Sequence, residues 1–183
     1  INTDERNVFV SHQFYIPKGV SADKIERMDS EIRTVGNIDE VRADILDRFD
    51  YSALGHIHKP MCAGSQTCRY CGTPIACSIS EAGQKKGIVM VDMGKKGDVK
   101  INIIPLEPLH QVREIKDTYK NVLEQGCSDY VRIVLTDRED LEVMDMQDRL
   151  RSEFPNLLEI RRETLRKADY SSEAMAQREL DPF

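Results

Sequence analysis

Short apolar runs separated by polar loops dominate the first hundred residues and predict a strand-rich body. The predicted strands are residues 8–11, 51–54, 69–72, 87–93 and 99–106. A glycine-containing hairpin at residues 94–98 joins the last two. Residues 38–49 place apolar side chains at nearly helical spacing and predict a helix, whereas residues 17–35 predict a polar surface segment with a short helical piece. Buried strands with polar ends are typical of a layered α/β fold whose site lies at those ends.

Pro105 and Pro108 mark a change in this pattern and a candidate domain boundary. The elements predicted beyond them are a strand at 111–115, a helix at 117–124, a strand at 130–136, a helix at 144–154 and a strand at 157–162. The sequence therefore predicts an α/β protein in three parts. These are a layered body at residues 1–106, a small β-α-β-α-β module at 107–165 and a polar tail or isolated helix at 166–183.

Composition narrows the classes of function only slightly. The net charge of −6 gives no overall electrostatic attraction for nucleic acid, although a metal-dependent nuclease can carry a local cationic surface on an acidic body. No apolar run reaches the length of a membrane span, and no secretory signal opens the chain. The odd number of cysteines, five, favours free thiols in a reducing compartment, so we expect a cytoplasmic location and no membrane partner.

The candidate chemistry centres on a His-x-His motif, His56 and His58, which follows Gly55 at the end of a predicted strand. Side chains at positions i and i+2 of an extended segment point the same way, and neutral imidazole is a common ligand of transition metals. His12 ends another predicted strand and is the candidate third ligand; the alternative is an ordinary histidine at a strand end. His110 lies in the boundary segment, and we predict a surface or interdomain position for it.

Cysteines and arginines suggest two weaker sites. One Cys-x-x-Cys pair lies among four cysteines and is half of a common zinc pattern, but no second pair completes it, so free, partly buried thiols are the favoured interpretation. The four are Cys62, Cys68, Cys71 and Cys77. Arg161 and Arg162 form a candidate DNA-binding cluster, with a solvated charged face as the alternative.

Residues 49–60, FDYSALGHIHKP, resemble the last metal motif of the calcineurin-like metallophosphoesterases and, more narrowly, of the SbcD family of nuclease subunits. Residues 10–13 resemble the isolated-histidine motif that precedes it. Further resemblances are at residues 69–75, at Ser80 with Glu81, at Lys86 with Gly87, and more weakly at Asp29 to Glu31. The β-α-β-α-β module resembles the capping domain of that family, so the body would be part of the metallophosphoesterase core.

The resemblance implies a metal-dependent hydrolase of DNA phosphodiesters. His12 and His56 would bind one metal and His58 the other, with Mn²⁺ as the typical ion and Mg²⁺ possible. The implied activities are 3′–5′ exonuclease on double strands and endonuclease on single strands and hairpins, in double-strand-break processing. The implied partners are DNA ends and hairpins, a coiled-coil ATPase of the SbcC type reached through helices that would continue beyond residues 166–183, and a second copy in a homodimer.

The family motifs that carry the bridging aspartate and the acid histidine do not precede His12, so no catalytic residue is assigned. Residues 36–39 mimic the Gly-Asn-His motif, but Ile38 replaces its histidine. The chain begins at Ile1, and we expect it to be the C-terminal part of such a protein, inactive by itself. The alternatives are a DNA- or protein-docking module with a vestigial metal site and a phosphodiesterase of small substrates.

Overall fold

The computed structural model describes residues 1–31, 40–137 and 143–163. Its strands are β1 (Val8–His12), β2 (Tyr15–Ile16), β3 (Val41–Arg42), β4 (Tyr51–Gly55), β5 (Met61–Cys62), β6 (Cys68–Tyr70), β7 (Gly87–Met93), β8 (Val99–Pro105), β9 (Val112–Asp117), β10 (Tyr130–Leu135) and β11 (Leu157–Arg162). Its α-helices are α1 (Tyr119–Leu123) and α2 (Val143–Glu153). Short 3₁₀ helices lie at Ala22–Lys24, Ala43–Leu46 and Ile79–Glu81. None of the helices in these ranges is long and apolar enough to cross a membrane.

The sheet that positions the histidines has the strand order β1-β4-β6-β5. The first three strands are parallel and β5 runs antiparallel to β6. Within the β1–β4 pair, His12 lies opposite Gly55, so the residues that follow both strands meet at one edge of the sheet. A core that includes Phe14, Leu54, Ile57 and Tyr70 packs on this sheet.

Strand β1 lies where the sequence predicts a strand, but the expectation that it is buried is wrong. Val10 is 76% exposed and Val8 is 50% exposed, while Phe9 on the opposite face packs against the core. Strand β1 is the edge strand of its sheet and pairs only with β4 among the described strands. Val8 and Val10 point to the same face of β1, and their exposure means that no described residue covers that face there.

The helix predicted at residues 38–49 is also wrong in its described part, residues 40–49. Val41–Arg42 form β3, which pairs in parallel with β2, and Ala43–Leu46 form a single 3₁₀ helix. The buried positions of that helix are Ala43 and Leu46, three residues apart, whereas Ile45 is half exposed. An i, i+3 pair fits a 3₁₀ turn as well as an α-helix, so pairing with β2 decided between the two.

The predicted hairpin is confirmed: β7 and β8 pair antiparallel from Gly87 opposite Pro105 to Met93 opposite Val99. Its turn closes when the backbone N–H of Gly94 donates to the carbonyl of Asp98, with Gly97 in the left-handed region at φ +83°. The described residues before 107 hold 3₁₀ helices but no α-helix. The fold is therefore mixed α/β, with several small sheets and few helices, and the layering expected of a metallophosphoesterase core is not confirmed.

The last module follows the predicted order β9-α1-β10-α2-β11 and forms an all-parallel sheet of order β11-β10-β9. A second core fills it, in which Val122, Val131, Ile133, Leu150 and Phe154 are fully buried. Strand β9 also packs against the 3₁₀ helix Ile79–Glu81 of the preceding part. Residues 166–183, predicted to be a tail or an isolated helix, lie outside the described residues, as does the motif mimic at 36–39.

Candidate metal centre

The parallel pairing of β1 with β4 brings His12 and His56 together. Their ring centroids are 5.6 Å apart in an edge-to-face arrangement. A Cβ at Gly55 would lie only 2.7 Å from Nδ1 of His12, so this position must be glycine for the His12 ring to lie where it does. His12 therefore lies beside the first histidine of the His-x-His motif.

His56 has a strained backbone and a buried side chain. Its φ of +103° lies in a region that side-chain-bearing residues rarely adopt, and no other non-glycine residue in the described ranges has a positive φ. Its ring is buried, and Nη2 of Arg27 donates to Nε2 at 3.0 Å, which places the ring proton on Nδ1. Burial, and then the charge of Arg27, lower the pKa of His56 and favour the neutral imidazole.

His58 is held through Nδ1. That nitrogen lies 2.7 Å from Oγ of Ser30 and 3.2 Å from Oε1 of Glu81. Ser30 has one hydroxyl proton, and it donates this proton to Oε1 of Glu81 at 2.7 Å. The Nδ1 atom of His58 must therefore be the donor in both of its contacts. Among the described residues Nε2 has no hydrogen-bond partner, and the side chain is 22% exposed.

Glu81 is fully buried, and every contact of its carboxylate is with a donor. Lys86 lies 2.6 Å from Oε2 in an ion pair that is also buried, and Thr73 donates to the same oxygen at 2.8 Å. Burial by itself raises the pKa of Glu81, but the hydrogen bonds from Lys86, Ser30 and Thr73 outweigh it and lower the pKa to about 2. Glu81 is therefore a carboxylate at neutral pH.

The backbone of His58 is held as firmly as its ring. Its N–H donates to Oε1 of Glu31 at 2.8 Å, and its carbonyl accepts from Lys86 Nζ at 2.9 Å and from the N–H of Thr73 at 3.1 Å. The other oxygen of Glu31 pairs with Arg27, whose guanidinium also lies over the ring of Phe14. Glu31 thus links the support of His58 to the arginine that contacts His56.

Among the described residues, His58, Cys77 and Glu81 form a cluster of potential metal ligands, because their ligand atoms lie within 4.8 Å of one another. We do not assign this group as a metal site, because both oxygens of Glu81 already accept hydrogen bonds and its charge is paired with Lys86. Neutral imidazole nitrogen is a common ligand of transition metals, so the three imidazoles remain the candidate donor set. Nε2 of His58 has no hydrogen-bond partner among the described residues and is available to a metal.

The remaining residues singled out in the sequence lie outside this group. His110 is exposed as predicted, and its ring contacts Tyr130 edge-to-face at 6.1 Å. Arg161 is exposed on β11 and donates to Glu159 at 2.7 Å, which raises the pKa of its guanidinium, and Arg162 is also exposed. Of the four cysteines in the zinc alternative, only Cys77 joins a cluster of potential ligands within the described ranges.

Reasoning from residue types alone did not find Arg27, Glu81 or Lys86 as parts of the site. The segments that resemble the metallophosphoesterases do contain Ser30, Glu31, Glu81 and Lys86. That resemblance could have identified these four residues from the sequence. No such signal marks Arg27. Residues 17–35 were predicted to be a polar surface segment, but in its described part Ile25 and Met28 are buried and bring Arg27, Ser30 and Glu31 over the histidines.

Comparison with known protein families concerns the C-terminal part of the chain. Residues 108–182 match the SbcD C-terminal family, whose description is the type 5 capsule protein repressor C-terminal domain. The described part of this match is the β9-α1-β10-α2-β11 module. The matched region begins at Pro108, where the sequence pattern changes. Residues 108–182 are therefore similar to the SbcD C-terminal domain.

Proposed function

We propose that this chain is part of a metal-dependent nuclease subunit that hydrolyses DNA phosphodiesters. The observation that carries the proposal is the convergence of His12 and His56 at one end of two parallel strands, with His58 directly after them. The SbcD C-terminal domain supports the nuclease context independently of the histidines. Under this proposal residues 1–106 belong to the catalytic core, residues 107–165 cap it, and an SbcC-type ATPase is the partner.

Under the proposal, His12 and His56 hold one metal ion and His58 the other, with Mn²⁺ as the expected ion and Mg²⁺ as the substitute. Two bound metals would activate a water and neutralise charge on the phosphate during an in-line displacement. Burial and the charge of Arg27 favour the neutral imidazole of His56, and Ser30 and Glu81 hold the ring of His58 in place. Because Arg27 donates to Nε2 of His56, its guanidinium must withdraw before that nitrogen can bind a metal.

The described carboxylates do not complete such a site. Glu31 accepts from Arg27 and from the N–H of His58, and Glu81 is paired with Lys86. Within the described ranges, no Asp or Glu forms a ligand cluster with His12 and His56. We therefore propose that this chain by itself binds Mn²⁺ weakly and does not cleave DNA, and that DNA ends and hairpins are processed by the larger, dimeric assembly with its ATPase.

Calorimetry with Mn²⁺ tests the metal site directly. Wild-type chain should show weak binding, which the double variant His56→Ala/His58→Ala should lose. The matched control His110→Ala removes a histidine outside the site and should bind like the wild type. Equal binding by the double variant would refute the metal assignment, and a tight two-site isotherm for the wild type would refute the proposed weakness. Added Mn²⁺ should not produce cleavage of a hairpin DNA by the chain alone.

A second candidate function is DNA docking by the C-terminal domain through Arg161 and Arg162. The observation in its favour is that Arg161 and Arg162 are consecutive, exposed cations on β11. Its hydrogen bond to Glu159 opposes this role, because a phosphate would have to replace that carboxylate. A gel shift with duplex ends and hairpins separates the functions. Docking predicts binding that survives His56→Ala/His58→Ala and is lost in Arg161→Ala/Arg162→Ala.

A further inference from the structure

A buried ion pair lies directly behind the candidate ligand His58. The side chains of Glu81 and Lys86 are 0% and 4% exposed, and their charged atoms are 2.6 Å apart. Glu81 reaches the ring of His58 at Nδ1, both directly and through Ser30, while Lys86 reaches the backbone carbonyl of the same residue. One pair of charges therefore holds both the ring and the main chain of one histidine.

We propose that Glu81, held in place by Lys86, is a positioning residue that fixes His58 in the Nδ1–H tautomer and leaves Nε2 to bind the metal. This inference rests on the proposed function above and assigns the support of its second metal site. Glu81 touches neither metal nor substrate. It acts through the imidazole, in the way that a carboxylate behind a ligating histidine commonly fixes the orientation and basicity of the ring.

Proton accounting supports the assignment of the tautomer. Oε1 of Glu81 accepts from Ser30 and Ser78, and its Oε2 partner accepts from Lys86 and Thr73. A carboxylate surrounded by donors cannot donate, so the contact with His58 is made only if Nδ1 carries the proton. Neutral imidazole has one N–H, and the proton on Nδ1 leaves Nε2 as a bare lone pair.

Stability alone does not account for this ion pair. Transferring two charges from water into a protein interior costs about as much as their attraction returns, and well-packed apolar side chains of similar size often serve as well. The pair is better explained by what it orients. Three of its other hydrogen-bond partners, Ser30, Thr73 and the His58 carbonyl, belong to the loop contacts that shape the same histidine.

The test uses the full chain and removes both charges together, so that neither remains buried alone. The double variant Glu81→Leu/Lys86→Met replaces the pair with apolar side chains of similar volume. The matched control is Asp50→Leu/Lys96→Met, which removes a 2.7 Å ion pair that does not contact the histidines. A second, milder variant, Ser30→Ala, removes one link between Glu81 and the ring. Thermal unfolding and circular dichroism establish that each variant is folded.

The first readout is the tautomer of His58, assigned by long-range ¹H–¹⁵N correlations on the metal-free chain at a pH where the ring is neutral. Wild type and the control should show the Nδ1–H form. The Glu81→Leu/Lys86→Met variant should populate the Nε2–H form, and Ser30→Ala should shift partly toward it. An Nε2–H ring in the wild type would overturn the inference, as would an unchanged Nδ1–H ring in the double variant.

The second readout is paramagnetic broadening of the three histidine rings by Mn²⁺. The apparent affinity measured at His58 should fall about 10–100-fold in Glu81→Leu/Lys86→Met, the usual effect of losing such a carboxylate, and stay unchanged in the control. Broadening of His58 that is equal in wild type and double variant would overturn the role toward the metal. If no histidine broadens in the wild type, the proposed metal site itself fails, and the tautomer comparison alone decides whether Glu81 orients the ring.

Discussion

The positive φ of His56 predicts an unusual order of stabilities when that residue is replaced. Both His56→Ala and His56→Gly remove the ring and its contacts with His12 and Phe14, so the loss of side-chain packing is the same in each. Alanine keeps a Cβ at φ +103°, whereas glycine does not. The difference in stability between the two variants therefore reports the backbone strain, reduced by the extra chain entropy that glycine loses on folding.

The size of this difference follows from two opposing contributions. A side-chain-bearing residue in a sparsely populated backbone region costs about 1–3 kcal/mol. Glycine loses about 0.4–1 kcal/mol more chain entropy on folding than alanine does. The His56→Gly variant should therefore be more stable than His56→Ala by about 1 kcal/mol, or by about 3 °C in the unfolding temperature of a chain of this size.

Urea unfolding followed by far-ultraviolet circular dichroism measures both variants under the same conditions. The matched control is the pair His58→Ala and His58→Gly, because His58 has no positive φ and lies two residues away. There the order should reverse, with alanine more stable by about 0.4–1 kcal/mol. An alanine variant at His56 that is as stable as the glycine variant, or more so, would show that the backbone there is not strained.

Three further predictions concern the surroundings of the site. Glu81→Gln should destabilise the protein by about 3–5 kcal/mol in urea unfolding because Lys86 stays buried without its partner, whereas the apolar double replacement should cost far less. Gly72→Ala should cost more than about 1 kcal/mol, since φ is +77° and a Cβ would lie 2.6 Å from a carbonyl oxygen; a variant of unchanged midpoint would contradict this. Exposed Cys71 should be alkylated much faster at pH 8 than Cys68, because burial raises the pKa of the Cys68 thiol to about 11; equal rates by mass spectrometry would refute the difference.

The sequence predicts the elements of this protein better than their surroundings. The module from β9 to β11 and the β7–β8 hairpin are confirmed because regular periodicity and glycine-rich or proline-rich boundaries are local signals. The exposure of Val10 and the 3₁₀ helix at Ala43–Leu46 were not predictable, because both depend on which strands become neighbours. The type of a secondary-structure element depends mainly on neighbouring residues in the sequence, whereas its burial depends on elements that are distant in the chain.

The same distinction applies to the candidate site. A motif of two histidines identifies ligand types from the sequence, and parallel strand order then explains why His12 joins them. The residues that hold the histidines in place could not be derived this way, because they are distant in sequence. Arg27 lies 29 residues from the histidine it contacts, Glu81 lies 23 residues away and Lys86 lies 28 residues away. No regular spacing in the sequence marks the two residues of a buried ion pair, so only the folded structure shows which backbone atoms the pair contacts.

The contact between β9 and the 3₁₀ helix Ile79–Glu81 means that the two halves of this chain are not interchangeable parts. The residue that ends this helix is the one whose carboxylate holds His58. Dividing the chain at the boundary marked by Pro105 and Pro108 would separate the two hydrophobic cores. It would also remove β9 from the 3₁₀ helix that carries Glu81. An exchange of C-terminal domains between relatives therefore has to preserve the surface of β9 if the histidines are to stay in place.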